Sequence, residues 1–219
     1  MLTVNKTDLL RHHEPRGLSD RLALAIVRMM RATADAIFGR RYGHRTVVLE
    51  TIAAVPGMVA ATLLHLKCLR RMIDDRGWIR TLMEEADNQR VHLMVFVGLA
   101  EPRLAERLFV LFAQGIFYNL YFLLYLISPR TAHRLVGYFA EDSVAGYTQY
   151  LDEIEAGHVA NTPAPPVALD YWNLPDNALM SHAIVAIRED EAIHRDINHA
   201  FADALASGKD LPDPPGSRD

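Results

Sequence analysis

The feature that most constrains this fold is the length of the segments between its helix-breaking residues. The 219 residues contain 12 glycines and 11 prolines, and many of these cluster at a few points along the chain. The long stretches between them are dominated by Leu, Ala, Met and Arg, which favour helix over strand. The sequence therefore predicts an all-α protein built from six long helices.

The glycines and prolines also predict where the helices begin and end. We expect helices at residues 19–39, 46–72, 78–99, 104–127, 131–155 and 176–205, with a kink in the second at Pro56-Gly57. A proline-rich connector at 163–166 precedes the last helix. We expect an N-terminal arm at 1–18, one helical domain at 19–206 and a disordered tail at 207–219.

The overall composition excludes several classes of function. Lys and Arg number 23 against 27 Asp and Glu, for a formal net charge of −4, and no basic stripe is present, so nucleic acid is not an expected partner. The single cysteine, Cys68, excludes an intramolecular disulfide framework or a Cys-rich metal site and suits a reducing compartment. The first residues show no pattern of a secretory signal or transit peptide, so we expect neither.

Two apolar runs, Val47 to Leu66 and Leu108 to Ile127, approach the length of a membrane crossing. The first contains Glu50, a carboxylate that is costly at membrane depth, so we interpret it as a helix of the bundle core. The second is rich in aromatic residues and is flanked by arginines, which suits a helix lying in a membrane interface. A buried core helix or a dimer face is an equal alternative, and exposed apolar surface of either kind implies a partner.

A candidate metal site comes from residues three apart on two predicted helices. Glu191 and His194 lie on one helix face about one turn apart, and Gln89 and His92 form an imperfect twin. Alone, such a pair is usually part of an ordinary solvated face. With Glu50 on another helix, however, the set approaches the pattern of di-metal carboxylate bundles, which take one acid from each of two helices and a Glu-x-x-His pair from each of two others.

Several longer motifs occur in order around these residues, and together they resemble the alternative oxidase family over nearly all of Leu18 to Leu205. They are Leu49-Glu50-Thr51, Val55-Pro56-Gly57-Met58, Gly77-Trp78-Ile79, Asn88-Gln89-Arg90-Val91-His92-Leu93, Ile127-Ser128-Pro129-Arg130, Tyr171-Trp172-Asn173-Leu174, Arg188-Glu189-Asp190-Glu191-Ala192-Ile193-His194-Arg195 and Asn198-His199.

The resemblance implies a six-helix protein with a four-helix, ferritin-like di-iron bundle, bound to one membrane leaflet as a homodimer. It also implies oxidation of ubiquinol and reduction of molecular oxygen to water without proton pumping. The metal positions match Glu50, Gln89, His92, Glu191 and His194, and the redox tyrosine matches Tyr147. Polar groups around the ligands match Asn88, His133 and Asp190. The quinol pocket matches Arg31, Asp35, Arg45 and Leu49, although Arg31 and Asp35 alone would be interpreted as a helical ion pair.

Two positions depart from the family pattern. Gln89 replaces the glutamate of the first Glu-x-x-His pair, and Ala140 replaces a glutamate seven residues before Tyr147. Two of four ligand charges are therefore missing, which disfavours two iron ions in a low-dielectric bundle. Glu85, Glu141 or Asp142 could substitute, although Glu141 and Asp142 are rotated about 100° per residue around the helix from Ala140. Two irons, one ion and no metal all remain alternatives.

Three functions follow as hypotheses. The first is a quinol:oxygen oxidoreductase on a membrane surface. The second is an enzyme with a mononuclear site that hydroxylates or oxidises a quinone-like aromatic. The third is a catalytically inactive pseudo-oxidase that binds quinol. For location, we expect a peripheral position on the cytoplasmic face of a bacterial inner membrane.

Overall fold

A computed structural model describes residues 9–38, 42–100 and 104–208, and within them the chain is all-helical. Six long helices are present in these ranges, as predicted, together with a short seventh. They are α1 (Leu18–Phe38), α2 (Tyr42–Arg71), α3 (Trp78–Ala100), α4 (Leu104–Ile127), α5 (Pro129–Glu155), α6 (Pro166–Trp172) and α7 (Met180–Ala206). The predicted arm and tail remain predictions, since residues 1–8 and 209–219 lie outside the described part of the chain.

The helices differ from the prediction in three places: the start of α2, the connector and the start of α7. Helix α2 begins at Tyr42, four residues earlier than expected, and is assigned as one helix through Pro56. The connector contains α6, which sequence reasoning missed. Pro166 stands in the first turn of α6, where its missing N–H leaves no hydrogen bond unmade. Asn173 ends this helix in the left-handed conformation, with φ 51°, which asparagine tolerates better than most residues.

The connector is fixed to the start of α7 by backbone hydrogen bonds. The Ala164 N–H donates to the Ala178 carbonyl at 2.9 Å, and the Met180 N–H donates to the Thr162 carbonyl at 2.7 Å. These bonds delay the start of α7 to Met180, four residues after the predicted start. They also hold α6 against the bundle, where it contacts α3 and α7.

The bundle is assembled from two closely packed helix pairs, α2 with α3 and α5 with α7, with α1 lying on α5 and α4 lying on α2. Apolar side chains fill its centre in two main clusters. In one of them, Trp78 of α3 stacks on Phe201 of α7. In the other, Phe96 of α3 lies against Tyr147 of α5 at a ring-centroid distance of 5.9 Å. Burial of these large rings stabilises the bundle on both sides of its polar centre.

Helix α1 is joined to the bundle by a buried ion pair. Asp20 and Arg134 of α5 are each 1% exposed, and the Arg134 Nε donates to the Asp20 Oδ1 at 3.1 Å. Arg134 also contacts Asp203 and donates to the His199 Nδ1 at 2.9 Å. This guanidinium therefore links α1, α5 and α7.

Two helical segments are long and apolar enough, by length and composition, to cross a membrane: Thr46–Arg71 and Arg107–Ile127. In the first, 61% of the most apolar stretch is buried inside the protein, as expected for a helix of the bundle core. In the second only 11% is buried. The large apolar side chains exposed on α4 are Leu104, Leu108, Phe109, Leu111, Phe112, Ile116, Tyr118, Leu120, Leu123, Leu126 and Ile127.

Candidate metal centre

Three helices bring the predicted ligands to one buried point. Glu50 comes from the middle of α2, His92 from α3, and Glu191 and His194 from α7. Each is 5% exposed or less. The three-residue spacing of Glu191 and His194 places both on the inner face of α7, as the sequence indicates. Buried charged groups of this kind require partners or a metal ion.

The tightest group at this point consists of Glu50, His92 and Glu191. The His92 Nδ1 lies 3.5 Å from the Glu50 Oε2 and 3.3 Å from the Glu191 Oε1. One ligand atom from each of the three residues falls within 4.8 Å of the others. An imidazole nitrogen between two carboxylates is a suitable donor set for a divalent metal ion.

Asp190 orients the imidazole of His92. Its Oδ2 accepts from the Asn88 Nδ2 at 2.8 Å and from the Trp172 Nε1 at 2.9 Å, and the His92 Nε2 lies 3.3 Å away. A proton on Nε2 directs the lone pair of Nδ1 toward Glu50 and Glu191, the arrangement usual for metal-bound histidine. Sequence reasoning selected Asn88 and Asp190 but gave Trp172 no role, although the Tyr171-Trp172 motif marked its position.

Electrostatics around His92 follow from this arrangement. Burial alone lowers the pKa of His92, but the carboxylates of Asp190, Glu191 and Glu50 raise it well above its ordinary value. Burial raises the pKa of Asp190, but hydrogen bonds from His92 and Asn88 outweigh burial and hold it below its ordinary value. The pocket of negative charge around His92 thus favours a cation, either a proton or a metal ion.

Gln89 lies where the family has a second ligand glutamate, and its amide is used differently. The Gln89 Nε2 donates to the Glu191 Oε1 at 2.7 Å and lies 3.0 Å from the His194 Nδ1. A carboxylate only accepts hydrogen bonds, so the atom facing Glu191 must be the amide NH₂. The same NH₂ faces His194, whose pKa burial lowers below its ordinary value.

Ala140 and Gln89 border a small cavity, and the carboxyl group of Glu85 lines the same cavity. The cavity measures about 10 Å³ and is also lined by Glu85, Glu191 and His194. Both oxygens of Glu85 accept from the Asn198 Nδ2, at 3.0 and 2.9 Å. Burial nonetheless raises the pKa of Glu85 to about 8. Glu85 is therefore a neutral acid at neutral pH.

The other two proposed substitutes, Glu141 and Asp142, have partners elsewhere. The Glu141 oxygens lie 2.8 Å from the His199 Nε2 and 2.6 Å from the His12 Nδ1, on the outer side of α5. Asp142 pairs with Arg31 of α1 at 2.5 Å. Helix α5 is regular through these positions, so neither carboxylate is brought into the group formed by Glu50, His92 and Glu191.

His133 is connected to the centre through Asn198 rather than directly. Its Nδ1 lies 3.0 Å from the Asn198 Oδ1, and its Nε2 lies 3.3 Å from the Tyr125 hydroxyl. Burial lowers the pKa of His133 to about 4, so the ring is neutral at neutral pH. The Asn198 amide thus joins two neutral groups, His133 and Glu85, beside the small cavity.

A second cavity, of about 40 Å³, shares a wall with the centre. Glu50 and Tyr147 form this wall, and the Tyr147 hydroxyl donates to the Glu50 Oε1. The remaining lining residues are Thr46, Leu49, Phe139, Asp142, Ser143, Gly146 and Tyr150. Burial raises the pKa of Tyr147 well above its ordinary value, so the phenol remains protonated.

The predicted quinol residues surround this cavity unequally. Leu49 lines it, and Arg31 reaches it through the ion pair with Asp142. The Asp35 carboxylate lies 3.7 Å from the Arg31 Nε, as the ion-pair interpretation expects, and both are about half exposed. Arg45 lies in α2, but its side chain is outside the described part of the structure.

The donor set fits one divalent ion better than two. Among the described residues, the Glu50 Oε2, the His92 Nδ1 and the Gln89 Oε1 are buried without a hydrogen-bond partner. The first two lie 3.5 Å apart, which is costly unless a cation joins them. Glu50 and Glu191 carry two negative charges, which balance one divalent ion. Ala140 offers no donor for a second ion, and Gln89 presents its NH₂.

Comparison with known proteins agrees with the motifs. The family model described as alternative oxidase matches residues 3–203. "Ubiquinol oxidase, mitochondrial" of Mangifera indica is 50% identical over 208 residues, covering 95% of this chain and 65% of that protein. "Ubiquinol oxidase 1b, mitochondrial" of Oryza sativa subsp. japonica is 50% identical over 208 residues, with 95% and 62% covered. "Alternative oxidase 3, mitochondrial" of Glycine max is 49% identical over 208 residues, with 95% and 64% covered.

These names overturn one prediction from the sequence. The expected position on the cytoplasmic face of a bacterial inner membrane is wrong, because the relatives are mitochondrial proteins. The error has a physical reason, since apolar surface and helix length do not distinguish one membrane from another. The chain spans slightly less than two thirds of the length of the relatives it matches. With the family model matching nearly the whole chain, this protein belongs to the alternative oxidase family.

Proposed function

We propose that this protein is a ubiquinol oxidase that uses molecular oxygen as the electron acceptor. The observation that carries this proposal is the wall shared by the metal centre and the 40 Å³ cavity, where the Tyr147 hydroxyl donates to Glu50. A quinol at the mouth of this cavity, where the free space is about 470 Å³ with its opening to solvent included, would lie next to a phenol that is hydrogen-bonded to a metal ligand. The names of the relatives support ubiquinol as the substrate.

The residues around the cavity can bind a quinol and accept its protons. Leu49 and Phe139 offer apolar contacts for a quinol ring, and Asp142, held by Arg31, offers a carboxylate to a quinol hydroxyl. Tyr147 holds its proton between the cavity and Glu50. Glu50, His92 and Glu191 would hold iron, which would supply the redox chemistry between quinol and oxygen. Oxidation of two quinols provides the four electrons that reduce one O2 molecule to two water molecules.

We infer a membrane-surface location from α4. Its exposed face is almost continuously apolar, and Arg107 lies at the start of this segment. A helix of this kind suits one leaflet of a membrane, with arginine at the head groups. Because the names of the relatives describe mitochondrial proteins, we propose that this membrane is mitochondrial. From the family resemblance we also propose that the protein is a homodimer.

A second candidate function is quinol binding without turnover. Gln89 and Ala140 favour it, because their replacement of two carboxylates weakens the part of the site that would hold a second iron. The third hypothesis, hydroxylation of a quinone-like aromatic at a mononuclear site, stays a prediction from the sequence.

Oxygen uptake by the membrane-bound, iron-loaded protein with a short-chain ubiquinol tests the proposal. We expect uptake in the wild-type protein and a loss of at least about tenfold in Tyr147→Phe, as for removal of a group that handles protons. Tyr121→Phe is the matched control, since the buried Tyr121 hydroxyl has no hydrogen-bond partner within the described ranges, and it should keep full uptake. Binding of a quinone analogue with no uptake would select the second candidate, and equal rates in the Tyr147 and Tyr121 variants would refute the role of Tyr147.

A further inference from the structure

We propose that the centre binds one divalent metal ion per chain, at Glu50, His92 and Glu191, and that the Gln89 amide occupies the place of a second. The role of this ion in quinol oxidation rests on the proposed function, whereas the number of ions per chain does not. The chemical class is a first-row divalent ion such as iron(II) or manganese(II), for which one imidazole and two carboxylates are suitable ligands.

The first position has its donors already directed. Asp190 fixes the proton of His92 on Nε2 at 3.3 Å, so Nδ1 faces Glu50 and Glu191 with its lone pair. Trp172 stacks on the His92 ring at a centroid distance of 5.9 Å and donates to the same Asp190 oxygen. Locked rings and shared carboxylates of this kind preorganise a ligand before the ion arrives.

The second position lacks a carboxylate on two sides. The Gln89 NH₂ directs its hydrogens at Glu191 and His194, 2.7 and 3.0 Å away. A cation placed between those two residues would displace these hydrogens, which carry partial positive charge. Ala140 has no side-chain ligand, and the cavity beside it, about 10 Å³, suits a single water molecule.

Glu85 does not supply a ligand for a second ion. Both of its oxygens are already used by the Asn198 Nδ2, and the Asn198 amide is itself held by the carbonyl of His194 at 3.0 Å. The carboxylates that face the His92 Nδ1 are therefore those of Glu50 and Glu191, whose two charges match one divalent ion. A second ion would add two uncompensated positive charges to a buried site, a strongly unfavourable arrangement.

Metal loading of the whole protein tests the number of ions directly. The apoprotein is titrated anaerobically with manganese(II) or iron(II), and bound metal is counted by elemental analysis and, for manganese, by electron paramagnetic resonance. We expect one ion per chain, with the six-line spectrum of an isolated manganese(II). Glu50→Gln should lower the affinity at least tenfold. Glu84→Gln is the control, because this neighbour of Glu85 is exposed and pairs only with Arg80 among the described residues.

Restoring the carboxylates should add the second ion. Gln89→Glu with Ala140→Glu is expected to bind two ions and to give the spectrum of a coupled manganese pair. Gln89→Glu alone keeps the side-chain shape and should fold even if the double variant does not; circular dichroism checks both. Because this single variant places a second carboxylate opposite Glu191, it should bind a second ion more tightly than the wild type.

The proposal would be overturned if the wild-type chain bound two ions or none. It would also be overturned if one ion bound with an affinity that Glu50→Gln did not change. An unchanged stoichiometry and affinity in both restored variants, once they are folded, would also contradict it. One ion per chain without oxygen uptake would refute the proposed oxidase activity and leave the metal assignment standing. Oxygen uptake with two ions per chain would refute the metal assignment and leave the proposed oxidase activity standing.

Discussion

Substitution of Gly57 by alanine tests how closely α2 and α3 must pack to hold the centre. A Cβ built at Gly57 would lie 2.5 Å from the Leu82 carbonyl oxygen and 3.1 Å from the Ala86 Cβ. The first of these neighbours is backbone, so it cannot rotate away, and the two helices must separate. Glu50 and His92, which face each other at 3.5 Å, stand on these same two helices.

The expected magnitude comes from two opposing effects. Overpacking of a close contact costs about 1–3 kcal/mol, whereas Gly→Ala within a helix stabilises by about 0.5–1 kcal/mol. Gly146→Ala in α5 isolates the second effect, because a Cβ there meets no atom within 4 Å. The difference between the two variants is therefore the overpacking cost itself, which corresponds to about 2–12 °C in Tm for a chain of this size.

Thermal and urea unfolding of both variants, followed by circular dichroism with the apoprotein, measures this difference. We expect Gly146→Ala to match or exceed the wild type and Gly57→Ala to fall below Gly146→Ala by the amount given. Equal stability of the two variants would refute the reasoning, since it would mean that α2 and α3 can accept a methyl group at their contact.

Three further outcomes follow from buried charges. Asp20→Asn should lower the free energy of unfolding by about 3 kcal/mol in urea titrations, the low end for a broken buried pair, because Arg134 keeps its contact with Asp203. Burial raises the pKa of Asp20, but the Arg16 N–H and Arg134 outweigh burial and hold the pKa below 3.8. The stabilisation that ionised Asp20 provides is therefore complete above pH 3.8 and is lost as the pH falls through the lowered pKa. Asp20→Asn should flatten the dependence of the free energy of unfolding on pH in this acid range. Burial raises the pKa of Glu85 to about 8 in the folded protein, against an ordinary value of 4.5. The free energy of unfolding should therefore fall as the pH rises from 4.5 to about 8. Glu85→Gln, measured with a chelator present, should be more stable than the wild type above pH 8 and similar to it near pH 5.

Most of the fold could be predicted from the sequence because glycines and prolines are sparse between the ends of the helices. The fourth predicted helix, 104–127, has the bounds of α4, since the chain offers no alternative start or stop. Helix α6 was missed because two prolines precede it and a third is the first of its seven residues, and proline in a first turn is compatible with either a helix or a loop. Only the tertiary hydrogen bonds to the start of α7 decide between them.

The members of the site could be predicted, but not the way they are used. Spacing placed Glu191 and His194 on one face, and the 100° rotation per residue already argued against Glu141, which contacts His199 instead. The direction of the Gln89 amide could not be read from the sequence, because it depends on which groups of α7 lie opposite. The neutral state of Glu85 likewise depends on burial by several helices at once.

The Oδ2 atom of Asp190 has a consequence for how variation in this protein should be interpreted. Asn88 and His92 of α3 and Trp172 at the end of α6 all converge on that one oxygen of α7. Removal of the carboxylate abolishes all three contacts at once. In such a variant, loss of the Trp172 indole would remove no further hydrogen bond to Asp190. Substitutions at these positions should therefore show epistasis rather than independent effects, and in natural or selected variants they should change together.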